Sequence, residues 1–183
     1  MRRIWCGIVC GLIVLALIEL RGSVATAQGG AANTSITVFL VRHADRKDNS
    51  DNSPLKDPEG FDRAKALAGL LADKGIVLIV TSTAKRTVQT AEPLAKKLGK
   101  QATVTKVTSA DNVASRAKAA KGNVLVVHHS NTVPKIIAKL GGPQLPDICE
   151  SVYDRLFVVQ LSAQQPKFQE TQYGTSTPPI GCQ

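Results

Sequence analysis

Side chains able to handle phosphate gather at three places in this 183-residue chain: Arg42-His43, Ser82 with Lys85 and Arg86, and His128-His129-Ser130. A guanidinium presents a planar fork that matches phosphate oxygens. An imidazole can serve as base, ligand or nucleophile at neutral pH. The chain has three histidines, and all three fall in these clusters. A histidine cluster is also a metal-site pattern. Here no carboxylate or cysteine spacing accompanies it, and two nearby arginines would repel a cation, so no metal or other cofactor is expected.

Each cluster follows an apolar run: Val38-Phe39-Leu40-Val41, Ile76 to Val80, and Val124-Leu125-Val126-Val127. Runs apolar throughout read as strands buried on both faces, the mark of a parallel sheet under helices. Parallel strands deliver their chemistry at their carboxyl ends, so the three clusters should share one sheet edge. Between them lie helical patterns. One starts at Asp57-Pro58-Glu59, with Asp57 as N-cap and Pro58 in the first turn, and carries Phe61, Ala64, Leu67, Ala68 and Leu71. A second covers about 84–98, where Pro93 should kink or split it. Shorter ones cover about 110–120 and 132–140. Ala102 to Val107 reads as an outer strand, Leu156 to Val159 as an apolar strand and Lys167 to Tyr173 as a final edge strand. The polar loop Lys47 to Asp57 follows the Arg-His pair and should border the site. The pattern predicts an α/β fold: a three-layer αβα sandwich with a mainly parallel central sheet.

Cations in a first helical turn oppose the helix dipole, so Lys85 and Arg86 are poorly placed for stability alone. An anion held between them and the sheet edge resolves that conflict. The chain carries 23 Lys and Arg against 14 Asp and Glu, a net charge of +9, which suits anionic partners. Beyond Trp5 near the N-terminus, aromatic residues are two Tyr and four Phe. With so few stacking platforms, nucleic acid is not an expected partner.

The N-terminus has the layout of a secretory signal peptide: Arg2 and Arg3, an apolar core from Ile4 to Leu20, then Ala25-Thr26-Ala27 as a cleavage site. The expected division is a signal peptide at 1–27, a flexible lead-in at 28–34 and one domain at 35–183. The product would be periplasmic or secreted, with no stable membrane anchor after cleavage. Cys6 and Cys10 depart with the leader. Cys149 and Cys182 remain, an even pair in an oxidising compartment, and are predicted to form a disulfide worth about 3–4 kcal/mol.

These motifs resemble the histidine phosphatase superfamily, whose fold is called phosphoglycerate mutase-like. Leu40-Val41-Arg42-His43-Ala44 resembles its Arg-His-Gly signature, with alanine in the glycine place. Pro54-Leu55, Gly60, Arg63-Ala64 and Leu67-Ala68 resemble a second block. Thr81-Ser82, Arg86, Gln89-Thr90-Ala91 and Pro93-Leu94-Ala95 resemble a third. Val126-Val127-His128-His129-Ser130-Asn131-Thr132 resembles the block around the second family histidine, and Tyr153-Asp154-Arg155-Leu156-Phe157 a late strand. The resemblance implies that His43 takes the phosphoryl group and that Arg42, Arg86 and His129 hold its oxygens. It implies a metal-independent phosphatase acting on a small phosphorylated substrate. Arg46 and His128 are further candidates for binding substrate, His128 standing where many members have glycine. The family uses a carboxylic acid to protonate the leaving oxygen. Asp45 is the first candidate here, against a loop salt bridge with Arg46 or Arg86, and Glu92 is the second. A phosphate- or phosphosugar-binding module of the same fold, without turnover, is the alternative. A mutase is disfavoured, because its phosphorylated substrates belong to the cytoplasm.

Overall fold

The computed structural model describes residues 35–99 and 102–182. The expected leader, its cleavage site, Cys6, Cys10 and the lead-in at 28–34 lie outside the described residues. The elements run β1 (Thr37–Arg42), α1 (Glu59–Leu71), β2 (Ile76–Thr81), α2 (Lys85–Leu98), β3 (Thr103–Lys106), α3 (Ala110–Lys118), β4 (Asn123–His128), α4 (Val133–Lys139), β5 (Arg155–Gln160) and β6 (Lys167–Gln172).

The six strands form one sheet in the order β3-β2-β4-β1-β5-β6. The pairs β3–β2, β2–β4 and β4–β1 are parallel, and β5 and β6 add antiparallel at the far side. Alternation along the strands divides the core into two layers. Phe39 and Val41 face Leu67, Leu71, Leu94 and Leu98 of α1 and α2. Val38 and Leu40 face Val113, Ala117, Ile136 and Ile137 of α3 and α4. Because both faces are covered, β1 and β4 must be apolar at every position from Val38 to Val41 and from Val124 to Val127. This is the three-layer fold expected from the sequence.

Two local expectations change. Helix α1 begins at Glu59 with Pro58 as its flanking residue, and no side chain caps it, so Asp57 is not the N-cap. Helix α2 runs from Lys85 to Leu98 with Pro93 inside it, so the proline does not split the helix. Ala91, Leu94 and Leu98 lie buried on both sides of the proline. Their burial stabilises the one helix against the loss of a backbone hydrogen bond.

Candidate active site

The register β1–β4 sets Arg42 beside His128, so the Arg-His pair and the His-His pair leave the sheet side by side. The His43 amide donates to the His128 carbonyl at 2.8 Å, and the Ala44 amide donates to Thr90 Oγ1 of α2 at 2.9 Å. These bonds fix the backbone that carries the first histidine. Ala44 is fully buried, which accounts for a small residue at that position.

His43 is 2% exposed. Its Nδ1 lies 2.9 Å from the Ala44 carbonyl. A carbonyl only accepts, so Nδ1 carries the proton and Nε2 keeps its lone pair. Burial first, then Arg42, Arg86 and His129, lower its pKa to about 2, against the opposing effect of the hydrogen bond it donates to the Ala44 carbonyl. The ring is therefore a neutral base or nucleophile at physiological pH. His129 follows β4, its ring centroid 5.6 Å from that of His43. Arg86 Nη2 lies 3.3 Å from His129 Nδ1 and can only donate to it. His129 Nε2 then donates to Ser82 Oγ at 2.9 Å. Burial first, then His128, Arg86, Arg42 and Arg46, hold His129 down at about 4. His128 Nε2 donates to the Val107 carbonyl at 2.9 Å, while its Nδ1 is buried without a partner among the described residues.

The two arginines of the resemblance are placed differently. Arg42 is 2% exposed. Its Nη1 donates to the carbonyls of Cys149, Glu150 and Val152 at 2.9, 2.9 and 3.1 Å, and its guanidinium lies 4.2 Å from the Tyr153 ring centroid. Arg86 donates from Nη1 to the Asp51 carbonyl at 2.6 Å. The Nε atoms of both arginines are buried with no partner among the described residues. Burial lowers Arg86 first, followed by repulsion from Arg46 and Arg42. Arg42 and Arg46 are thus close enough to Arg86 for their charges to be felt there. A cavity of about 520 Å³ opens beside Arg86, His128 and His129. Asp51 and Asn52 of the polar loop also line it, and Asn52 Oδ1 accepts from the Lys85 amide at 3.0 Å.

The sheet edge therefore brings together Arg42, His43, Arg86, His128 and His129, with Arg46 at its rim. Asp45 stands apart. Its Oδ2 accepts from Arg63 Nε of α1 at 2.6 Å, in place of the expected pairing with Arg46 or Arg86. Arg63 is 4% exposed and also donates to the carbonyls of Tyr173 and Thr175. Glu92 pairs with Lys96 on the surface of α2 at 2.7 Å and is not brought to the site. Sequence reasoning missed Glu150. Its Oε2 lies 2.6 Å from Arg42 Nη2 and 3.1 Å from Arg46 Nη2, and its Oε1 accepts from the Ser130 hydroxyl at 2.6 Å. Burial raises its pKa, but Ser130, Arg42 and Arg46 outweigh burial and hold the carboxyl below its ordinary value. Among the described residues, no group of three metal-ligating side chains forms.

The predicted disulfide, Cys149–Cys182, is present with a Cα separation of 5.6 Å. It ties the C-terminal tail to the segment whose carbonyls hold Arg42.

Residues 38–108 match the sequence profile of the histidine phosphatase superfamily (branch 1). Over that stretch, 71 of the 183 residues, the chain is similar to the superfamily. The match includes Arg42, His43 and Arg86, and ends before His129. Solved structures share the fold. A protein histidine phosphatase, SixA, complexed with tungstate aligns with a TM-score of 0.62 at 21% identity, covering 75% of this chain and 97% of SixA. A mycobacterial glucosyl-3-phosphoglycerate phosphatase aligns at 0.53 and 15%, covering 78% and 100%. Phosphoglycerate mutase from Bacillus anthracis aligns at 0.54 and 14%, covering 76% and 93%. At these identities the likeness is one of fold. No curated protein matches the sequence.

Proposed function

We propose that this chain is a histidine phosphatase: a metal-independent phosphatase that hydrolyses a small phosphomonoester through a phosphohistidine on His43. One observation carries the reading. The Ala44 carbonyl fixes the His43 proton on Nδ1, which leaves Nε2 as a neutral nucleophile beside the guanidinium groups of Arg42 and Arg86. Both groups keep a buried Nε–H with no partner among the described residues, and a phosphoryl group supplies acceptors for both.

The reaction has two transfers. His43 Nε2 attacks phosphorus, the bond to the leaving oxygen breaks, and that oxygen departs as the alcohol once it takes a proton. Water then attacks the phosphohistidine, the nitrogen–phosphorus bond breaks, and inorganic phosphate leaves. Arg42 and Arg86 stabilise charge on the equatorial oxygens in both steps. His129, held between Arg86 and Ser82, lies beside the nucleophile to receive one of those oxygens. The signal-peptide layout and the cysteine pair support a site of action outside the cytoplasm, in the periplasm or the medium.

A second reading, a phosphate-binding module without turnover, draws on Asp45. Its pairing with Arg63 withdraws the acid expected for the leaving group. An aryl phosphate assay in excess chelator, run beside His43→Ala, separates the two. The phosphatase reading expects chelator-resistant turnover that falls by at least about a thousandfold in the variant. Phosphate binding without turnover in either protein would establish the binding module.

A further inference from the structure

Glu150 occupies donors that the proposed function needs. Its Oε2 lies on Arg42 Nη2 and Arg46 Nη2, and its Oε1 on the Ser130 hydroxyl. Charge-assisted bonds of this kind to a guanidinium are those that a phosphoryl oxygen forms. On any arginine, Nε–H and the near Nη2–H point the same way and make the side fork that grips two oxygens of one anion. On Arg42 the carboxylate takes only half of this fork: Nη2 is satisfied, and Nε is buried with no acceptor among the described residues. The other end of the guanidinium, Nη1, is committed to three backbone carbonyls and cannot turn to meet a ligand. A substrate must therefore use the fork that Glu150 half fills.

We infer that Glu150 is a built-in competitor for the phosphoryl seat, latched by Ser130, and that substrate binds by replacing its carboxylate on Arg42 and Arg46. The inference rests on the phosphatase reading for the identity of the seat.

The surroundings fit exchange better than a fixed structural ion pair. The Arg42 guanidinium is buried, but the Glu150 side chain is 63% exposed, so it can swing to water at little desolvation cost. Glu150 bonds Arg42 and Arg46 and is a shared counter-charge for the arginine cluster, since it raises Arg42 and Arg86 against the repulsion each feels from its neighbours. A lone carboxylate brings one negative charge to that cluster. A phosphoryl dianion brings two, with enough oxygens for both unpartnered Nε–H groups. The competitor therefore selects for dianionic phosphoryl groups over singly charged anions. The latch is local as well: the Ile148 amide donates to the Ser130 carbonyl at 3.0 Å, holding the Glu150 segment against the turn after β4 whether or not the carboxylate is in place.

Calorimetric titration with inorganic phosphate, the product of the proposed reaction, tests this on the full chain. Glu150→Gln is close in shape and removes the charge. Phosphate should bind it more tightly than the unaltered protein by about tenfold or more, the equivalent of one charge-assisted hydrogen bond. Ser130→Ala removes only the latch and should tighten phosphate by a smaller factor. It also decides the matter if Glu150→Gln fails to fold. Equal or weaker phosphate binding in the folded variants overturns the competitor role and makes Glu150 a support for Arg42. Failure of phosphate to bind any of the three proteins overturns the anion seat itself, and the phosphatase reading with it.

Discussion

The proton on His43 Nδ1 is held by a backbone carbonyl, so the tautomer does not depend on a neighbouring carboxylate. Burial and two arginines then keep the ring neutral. That arrangement costs stability in acid. As pH falls below 6.5 the unfolded chain takes up a proton at this residue, whereas the folded chain does not until about pH 2. Stability therefore drops across that window by up to ~1.4 kcal/mol per pH unit from His43. His129 adds to the loss in the same direction down to about pH 4. Melting temperatures measured from neutral pH to about pH 4.5 should fall less steeply in His43→Gln than in the unaltered protein. Parallel curves would place the acid sensitivity elsewhere. Asp45 gives a second test. Its contact with Arg63 makes it a structural anchor, so Asp45→Asn should lower stability by on the order of 1–3 kcal/mol and slow aryl and alkyl phosphates by the same factor. A selective loss on the alkyl substrate, whose leaving group needs protonation, would restore Asp45 as the acid.

The strands were readable because burial on both faces leaves only apolar side chains, and the clusters at their ends were readable because parallel strands finish together. Arg42, His43, Arg86 and His129 follow from that logic. Glu150 does not. It reaches Arg42 from an irregular loop 108 positions away, where no periodicity constrains the chain and a lone acid looks like any surface residue. Arg63 was half visible: it lies in the buried stripe Gly60, Ala64, Leu67, where a cation requires a partner. At Gly60 a Cβ would collide with the Asp45 carbonyl, so the glycine lets α1 approach the backbone just after His43. The loop that carries Glu150 is held by the tail. Ser151 Oγ donates to the Pro178 carbonyl and accepts from the Ile180 amide, beside the Cys149–Cys182 bridge. Breaking the bridge with a paired Cys149→Ser and Cys182→Ser substitution should cost about 2–4 kcal/mol. It should also lower kcat/KM, because the carbonyls that orient Arg42 lose their tether. Unchanged kcat/KM in a destabilised variant would show that Arg42 is positioned by the sheet alone.

At the scale of the molecule, one parallel sheet edge collects the cations and histidines. The antiparallel pair β5–β6 extends the sheet beyond β1, and the loop entering β5 supplies the carbonyls that steady Arg42. The superfamily match and the solved neighbours agree with this layout, and the chain covers nearly all of each neighbour's length. The account depends most on covalent transfer to His43. The direct measurement is intact-protein and peptide mass spectrometry after a rapid alkaline quench of the enzyme turning over an aryl phosphate, since a phosphohistidine survives base and is lost in acid. The account predicts one phosphoryl adduct, located on His43 and absent from His43→Ala. Turnover with no adduct, or with the adduct on another residue, would contradict it.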